Sequence, residues 1–309
     1  MSQNPSPEVP QALQDIVDQH DFLSLTDSKT CFPGSQGTGL TLIKIATDSC
    51  TAIVSTNGGH LLSFTPAGGD ELLWLSPNCQ FSPGASLRGG IPLCLPWFGP
   101  HPTDSSRPKH GIARTRTWQL NSASLDSEGV CHLKLSLHHS ADELFEHDFT
   151  AELTLSLGLT PTLHLSLTNT GQSDFDASWV MHTYFAINSL ETTRVEGLDG
   201  REYSDKVEGG KYFTQSGPVT FSGEVDRVYE DIQLPVTLDD GQHRYRIEGD
   251  LCPSVVVWNI GAEAGSQIAD IGPDNHKGYV CVERGACLGD TWHLPAGQVR
   301  SAHMSIKPA

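Results

Sequence analysis

The chain has 309 residues, of which 37% are hydrophobic and 18% charged, and its formal net charge at pH 7 is −18. This composition is typical of a soluble globular protein with one large domain or two small ones. The negative charge disfavours nucleic acids and anionic membranes as partners, because both bind basic surfaces. No segment approaches the roughly 20 apolar residues of a membrane helix, and the N-terminal segment lacks the basic start and apolar run of a secretory signal. We therefore expect a cytoplasmic protein.

Positive charge is concentrated between Leu87 and Trp118. This segment contains one acidic residue, Asp104, and five basic residues: Arg88, Arg107, Lys109, Arg114 and Arg116. A local positive region in an acidic chain suits a small anionic ligand such as a phosphate or a carboxylate. A solvated surface of the same composition is an equally good interpretation at this point.

The first predicted element is a helix over residues 7–20. Ser6 is placed to cap it, Pro10 stands in its first turn, and apolar residues recur at helical spacing. We assign this helix to an N-terminal extension, residues 1–35. A single domain is then predicted over residues 36–309.

Strands dominate the rest of the chain. Residues 41–47 and 51–56 are predicted to form an early hairpin. Apolar and polar residues alternate almost without error in three later segments: 131–137, 151–157 and 162–168. This period of two indicates strands with one buried face, whereas the continuous apolar runs at 254–258 and 279–283 indicate strands buried on both faces. Many short strands, few helices and no β–α alternation predict an all-β sandwich or barrel.

The cysteines indicate a reduced protein. There are eight, and none forms a C-x-x-C pair: Cys31, Cys50, Cys79, Cys94, Cys131, Cys252, Cys281 and Cys287. Several stand in apolar runs, where a thiol acts as a small core residue. The ligand spacing of a zinc site is absent, so none is expected.

Two titratable residues stand in apolar surroundings, and each has two interpretations. His182, within residues 178–188, is either a satisfied core histidine or a proton donor whose pKa is tuned by the exclusion of water. Glu283 ends the apolar run 279–283, and it is either paired with a base such as Arg284 or a general base facing a cleft. Asp226, in a turn-like stretch, indicates little by itself.

Six motifs follow one another between about residues 40 and 305. They are GGHLLSFTPAGGDELLWLS (58–76), LRGGIPLCLPWFG (87–99), HGIAR (110–114), MHTYFAI (181–187), DRVY (226–229) and VCVERG (280–285). The run R-G-G-I-P then P-W-F-G, followed by H-G-x-A-R, is the most specific part. In this order the motifs resemble the aldose-1-epimerase superfamily, and within it the glucose-6-phosphate 1-epimerase (hexose-6-phosphate mutarotase) branch.

The resemblance implies a fold and a set of roles. The fold is a large antiparallel β-sandwich, and the activity is interconversion of the α and β anomers of a hexose 6-phosphate by ring opening and reclosure. The residues that match the motifs are His182 as general acid, Glu283 as general base, Asp226 as a ligand of sugar hydroxyls, Arg88 beside the phosphate, and His110 and Arg114 as further pocket residues. Because this reaction needs neither a redox step nor an activated leaving group, no cofactor and no metal are expected.

Two departures and two alternatives accompany the resemblance. Leu95 stands where relatives often have an aromatic residue, which predicts altered packing of the sugar ring. Arg284 stands where relatives often have a smaller residue or proline, and pairing with Glu283 would lower the pKa of that base. The alternatives are a mutarotase of unphosphorylated aldoses and a non-catalytic protein that binds sugar phosphates. We expect a monomer whose partner is a small phosphorylated sugar.

Overall fold

The computed structural model describes residues 9–309. Its helices are short: α1 (Gln11–Val17), α2 (Ser28–Cys31) and α3 (Gly261–Gln267). Three 3₁₀ turns add Ala113–Thr115, Asn275–Gly278 and Leu288–Asp290. Within residues 9–309 no helix has the length and apolar character needed to cross a membrane.

Strands form most of the regular structure. The first twelve are β1 (Leu23–Asp27), β2 (Thr41–Ala46), β3 (Cys50–Ser55), β4 (His60–Pro66), β5 (Leu93–Cys94), β6 (Gln119–Leu125), β7 (Cys131–His139), β8 (Phe149–Leu157), β9 (Pro161–Asn169), β10 (Phe175–Ala177), β11 (Trp179–Met181) and β12 (Tyr184–Ala186). The others are β13 (Arg194–Glu196), β14 (Glu202–Asp205), β15 (Lys211–Thr214), β16 (Val219–Thr220), β17 (Val225–Tyr229), β18 (Val236–Asp239), β19 (Arg244–Asp250), β20 (Ser254–Asn259), β21 (Tyr279–Ala286), β22 (Trp292–Leu294) and β23 (Val299–Pro308).

Two large antiparallel sheets carry the fold. The nine-stranded sheet has the order β16-β13-β18-β19-β23-β9-β8-β7-β6. The eight-stranded sheet has the order β15-β14-β17-β20-β21-β11-β5, with β12 also paired to β21. A four-stranded sheet, β1-β2-β3-β4, and the pair β10-β22 complete the described part of the chain. The prediction of an all-β, largely antiparallel fold is confirmed.

The hydrophobic core lies between the two large sheets. In β8 and β9 buried and accessible residues alternate, so one face of each strand packs inward and the other meets solvent. Leu155 of β8 and Leu165 of β9 share one buried cluster with Val257 of β20 and Val282 of β21. This alternation confirms the predicted strands with one buried face.

The predicted hairpin is also confirmed, since β2 pairs with β3 in antiparallel register. The N-terminal helix is shorter than predicted. It begins at Gln11, after Pro10, whose extended backbone stands before the helix, and it has no side-chain cap; Ser6 lies outside the described residues. The strand β1, which the sequence did not predict, pairs with β2 across the boundary expected at residue 35.

The eight-stranded sheet is buried on both of its faces at its centre. All eight residues of β21 are buried, and so are five of the six residues of β20, with Trp258 half-buried. This confirms the prediction for the two continuous apolar runs. The inner face packs against the nine-stranded sheet, and the outer face carries polar side chains from several strands.

Candidate active site

Glu283 stands near the middle of the outer face of the eight-stranded sheet. Residues of a strand alternate between faces, so Cys281 and Glu283 point outward from β21 while Val282 and Arg284 point into the inter-sheet core. Glu283 is only 1% exposed, and its Oε2 atom has no hydrogen-bond partner within residues 9–309. An unsatisfied carboxyl oxygen at this depth is costly unless a ligand completes it.

His182 approaches Glu283 from the neighbouring strand. β11 pairs with β21 so that Met181 lies opposite Arg284, and His182 follows directly at the end of that strand. Its backbone N–H donates to the carbonyl of Pro92 at 2.9 Å, which fixes the chain at this point. The Nδ1 atom of His182 lies 3.1 Å from Oε1 of Glu283. The angles are not those of a hydrogen bond, and Nδ1 has no other partner in the described residues.

Aromatic rings hold the His182 imidazole. The Tyr184 ring stacks on it, with centroids 4.7 Å apart and an angle of 6° between the planes. Trp258 meets it edge-on at 5.6 Å, and His110 does so at 5.7 Å. The imidazole is therefore confined on several sides, so its nitrogen atoms have fixed positions relative to Glu283.

The same burial shifts the pKa values of both groups toward their neutral forms. Desolvation raises the pKa of Glu283 well above its ordinary range, and the nearby Asp226 raises it further. Desolvation lowers the pKa of His182 well below its ordinary range, and His110, Arg114 and Arg88 act in the same direction. Burial thus favours the uncharged form of each group, the protonated carboxyl of Glu283 and the neutral imidazole of His182.

The Arg88 guanidinium closes another side of the site. Its Nε donates to Oδ2 of Asp270 at 3.1 Å, and one terminal nitrogen donates to the hydroxyl of Tyr184 at 3.1 Å. Gly89 and Gly90, which follow it, have φ values of 112° and 63°. A β-carbon at Gly90 would also lie 2.9 Å from Nε2 of His60. Only glycine suits this close approach, which directs the preceding arginine to the site.

The H-G-x-A-R motif lies against the same site. His110 adopts a left-handed backbone, with φ of 66°, and its Nδ1 accepts a hydrogen bond from the Gly99 N–H at 3.2 Å. Burial and the nearby Arg114 lower the pKa of His110 to about 3, which favours the neutral ring. Since Nδ1 accepts, the hydrogen of that neutral ring lies on Nε2. Arg114 donates to the Lys109 carbonyl at 2.9 Å, and its Nε is buried without a partner among the described residues.

Asp226 occupies the same face two strands away from Glu283. It lies on β17 opposite Trp258 of β20, which in turn lies opposite Cys281 of β21. Burial raises the pKa of Asp226 to about 6, although the neighbouring Lys206 opposes this shift. A carboxylate at this position can accept hydrogen bonds from a polyhydroxy ligand that lies over Trp258.

The geometry thus brings together all six residues that the sequence singled out. Comparison with known proteins shows the family to which the chain belongs. The family model for aldose 1-epimerase matches residues 41–307. The chain belongs to the aldose 1-epimerase family. It is therefore an epimerase of the mutarotase type, an isomerase acting on an aldose.

Individual relatives agree with this assignment. A protein of Escherichia coli (strain K12) described as a “Putative glucose-6-phosphate 1-epimerase” is 35% identical over 79% of this chain and 82% of its own length. A plant relative with the same description, from Cenchrus ciliaris, is 31% identical over 77% of this chain and 75% of its own length. The crystal structure of “a putative mutarotase (YeaD) from Salmonella typhimurium” has a TM-score of 0.80 and 30% identity, covering 87% of this chain and 90% of that one.

Two sequence expectations for this epimerase are wrong. Arg284 does not pair with Glu283, because neighbours on a strand face opposite ways; it donates instead to the carbonyls of Ile232, Leu234 and Ile247. Leu95 is fully buried in the inter-sheet core, so its side chain does not pack a sugar ring in the site. The residue before it, Cys94, lies on the outer face instead.

Several site residues of the epimerase were not predicted. Tyr184 and Trp258 stand in motifs or strands that were recognised, and the alternation of faces from His182 and Glu283 would have indicated them. Cys281 was interpreted as a core thiol, although it is two residues from Glu283 and shares its face. Asp270 could not have been found, because it lies in a loop 182 residues from its partner Arg88.

Proposed function

We propose that this epimerase interconverts the α and β anomers of a hexose 6-phosphate, with glucose 6-phosphate as the first candidate. His182 acts as the general acid at the ring oxygen, and Glu283 acts as the general base at the anomeric hydroxyl. The observation that carries the proposal is the 3.1 Å separation of His182 Nδ1 and Glu283 Oε1 on a buried face. The ring oxygen and the anomeric hydroxyl oxygen are both bonded to one carbon, C1. An acid and a base this close together can therefore reach both oxygens.

Ring opening moves two protons. Glu283, as carboxylate, takes the proton of the O1 hydroxyl, and protonated His182 gives one to the ring oxygen O5. The C1–O5 bond breaks as the C1–O1 double bond forms, and rotation about C1–C2 presents the other face of the aldehyde. In reclosure His182 takes the proton from the O5 hydroxyl and Glu283 returns one to O1.

The uncharged forms that burial favours for the pair agree with this scheme. A neutral histidine beside a protonated glutamate is the state that follows ring opening. The ionised pair needed for ring opening contains the same number of protons. One transfer from Glu283 to His182, between atoms 3.1 Å apart, therefore converts one state into the other. Burial favours the neutral pair, protonated Glu283 with uncharged His182. The free energy of this pair is therefore low while the sugar ring is open.

Two observations support a phosphorylated substrate. Arg88, Arg114 and Lys109 lie in the positive segment of an acidic chain, and each acts electrostatically on His110 at the site. A guanidinium can bind phosphate through two parallel hydrogen bonds. The relatives from Escherichia coli and Cenchrus ciliaris both have the description “Putative glucose-6-phosphate 1-epimerase”.

One observation favours the second candidate, a mutarotase of unphosphorylated aldoses. Arg88 already pairs with the Asp270 carboxylate at 3.1 Å, and both side chains are 24% exposed. The backbone beside Asp270 is fixed, because the Ser76 hydroxyl donates to the Asp270 carbonyl at 2.6 Å and the Asn78 amide to Ile271 at 3.1 Å. The ion pair reduces the positive charge that Arg88 presents to a phosphate, while its N–H groups that are not bonded to Asp270 can still donate to a sugar hydroxyl.

Exchange NMR of anomer signals tests both candidates. The wild-type protein should accelerate exchange of glucose 6-phosphate more than exchange of glucose. Arg88→Ala should raise KM for the phosphate ester by about 10-fold or more, since a charged hydrogen bond contributes roughly 1.5–3 kcal/mol. Arg116→Ala is the matched control, because Arg116 pairs with Asp142 at 2.7 Å. Equal effects of Arg88→Ala on the two sugars would favour the unphosphorylated substrate, and no exchange of either would contradict the proposal.

A further inference from the structure

A thiol completes a cluster of three different ligand types at the site. Cys281 and Glu283 alternate on the outer face of β21, and His182 lies beside them at the end of β11. The sulfur of Cys281, a carboxylate oxygen of Glu283 and a ring nitrogen of His182 all lie within 4.8 Å of one another. The proton transfers described above use the histidine and the glutamate, and they leave the thiol without a role.

Two atoms of this cluster lack a partner. His182 is 6% exposed and Glu283 1% exposed, yet Nδ1 of the first and Oε2 of the second make no hydrogen bond to any described residue. Buried polar atoms of this kind are rare unless a ligand or water satisfies them. Both atoms belong to side chains of the cluster that the thiol completes.

We propose that Cys281, His182 and Glu283 bind one Zn²⁺ ion, and that the bound ion inhibits the enzyme by occupying the place of the anomeric centre. Thiolate, imidazole and carboxylate are the three ligand types that Zn²⁺ takes in proteins. The inhibition rests on the proposed function, because it requires His182 and Glu283 to be the acid and the base. The binding does not.

The geometry requires only small adjustments. Zinc lies about 2.0–2.3 Å from such ligands, which places tetrahedral ligand atoms about 3–4 Å from one another. Atoms already within 4.8 Å reach these separations by side-chain movements of about 1 Å. Three protein ligands leave a fourth position, which a water fills.

The charges also balance. On binding, the Cys281 thiol and the Glu283 carboxyl each lose a proton to solvent, and the Zn–S and Zn–O bonds form without any change of oxidation state. The thiolate and the carboxylate then offset the two positive charges of the ion. Arg88, a cation near the site, is already paired with Asp270, which limits its repulsion of the metal.

The cysteine spacing along the chain led to the expectation of no zinc site. That reasoning applies to ligands grouped in short motifs. Here two ligands alternate along one strand and the third comes from its neighbour, 99 residues earlier in the chain. The ligands are brought together by strand pairing, so no linear spacing reveals them.

The binding is tested with the full-length protein and the metal alone. Calorimetry with Zn²⁺ should give one site per chain, and Co²⁺ in its place should give the near-ultraviolet absorption band of a sulfur–cobalt bond. Cys281→Ser should lower zinc affinity by about 100-fold or more and remove the band. Cys131→Ser, at another fully buried cysteine, in β7 of the other sheet, is the matched control and should change neither.

The inhibition is tested by anomer exchange at rising zinc concentration. Zinc should slow the wild-type enzyme, a chelator should restore the rate, and excess sugar should raise the zinc concentration needed. Each variant is compared with its own zinc-free rate, and Cys281→Ala replaces Cys281→Ser if the latter does not fold.

Three outcomes decide the matter. Absence of zinc binding, or equal affinity in wild type and Cys281→Ser, would overturn the metal site. Zinc that binds without slowing an active enzyme would overturn the inhibition. Zinc binding with the sulfur band in a protein that turns over no aldose would support the metal site and contradict the proposed function instead.

Discussion

The two large sheets of this epimerase use polar residues in opposite ways. In the nine-stranded sheet, Glu152 and His164 lie on the outer face and are exposed, while their neighbours fill the core. In the eight-stranded sheet, Glu283 and His182 also lie on an outer face, but they are buried. A buried polar group lowers stability unless it is satisfied, so its presence indicates a function. The outward-facing polar residues therefore contact solvent in the nine-stranded sheet, whereas in the eight-stranded sheet they form the candidate active site.

Burial by itself does not separate the two roles. Glu283 and Arg284 are adjacent on β21, and both are buried. The Arg284 guanidinium donates three hydrogen bonds to backbone carbonyls at 2.7–3.3 Å. Two carbonyls belong to the loop that precedes β18 and one belongs to β19, so Arg284 connects both elements to β21. Glu283 keeps an oxygen without a partner in the described chain. The Nε atom of Arg284 also lacks a partner among these residues, so the difference is one of direction: the Arg284 guanidinium donates to backbone carbonyls of the core, whereas the Glu283 carboxyl lies beside His182 on the outer face.

The largest expected effect lies in the eight-stranded sheet. Glu283→Gln and His182→Ala should each lower kcat for anomer exchange by about 10²-fold or more, because each removes one proton-transfer group. Burial favours the protonated form of Glu283, which Gln resembles in shape and charge, so Glu283→Gln should change the free energy of unfolding by less than about 1 kcal/mol. Exchange NMR and urea unfolding measure the two quantities. Near wild-type turnover in either variant would remove that residue from the mechanism.

The converse result is expected from the nine-stranded sheet. Leu155→Ala, at a fully buried position in β8, should lower the free energy of unfolding by about 3 kcal/mol, because it leaves a cavity between the sheets. Its kcat per folded molecule should equal that of the wild type, since Leu155 faces away from the site. Urea unfolding gives the first value and exchange NMR at low temperature the second. A stable but inactive variant would show that the sheets are not separable in this way.

The sequence predicts the nine-stranded sheet better than the eight-stranded one for a physical reason. Strands of nine residues with one wet face, such as β8 and β9, repeat the period of two often enough to be recognised. Strands of two to four residues, such as β5 and β11 of the eight-stranded sheet, are too short to show a period. Their positions depend on tertiary pairing, which the linear sequence does not contain.

The site residues that stand in sequence motifs were predictable, whereas partners that are distant in the sequence were not. His182 and Glu283 stand in motifs and were found. The partner of Arg88, Asp270, lies in an irregular loop and gives no pattern. The interpretation of Arg284 as a partner of Glu283 was avoidable, because the period-two rule already places adjacent strand residues on opposite faces.

A smaller effect is expected from the pH dependence of Asp226. Burial raises the pKa of its carboxyl to about 6, so the carboxylate is present above pH 6 and is protonated as the pH falls through that value. If the carboxylate accepts sugar hydroxyls, KM should rise by about 10-fold between pH 7 and pH 5. Asp226→Asn should have a higher KM that does not vary over this range. The same pH-dependent rise in the variant would assign the titration to another group.

The smallest effect is expected where a histidine meets water. His164 of β9 is exposed between Thr154 of β8 and His303 of β23, on the face of the nine-stranded sheet that is turned away from the core. His164→Thr keeps the strand preference of the position, so the free energy of unfolding should change by less than about 0.5 kcal/mol and kcat should not change. Urea unfolding and exchange NMR check both. Because His164 and His182 are the same residue type on outer faces of two sheets, a large effect of His164→Thr would mean that burial is not what distinguishes a functional histidine in this fold.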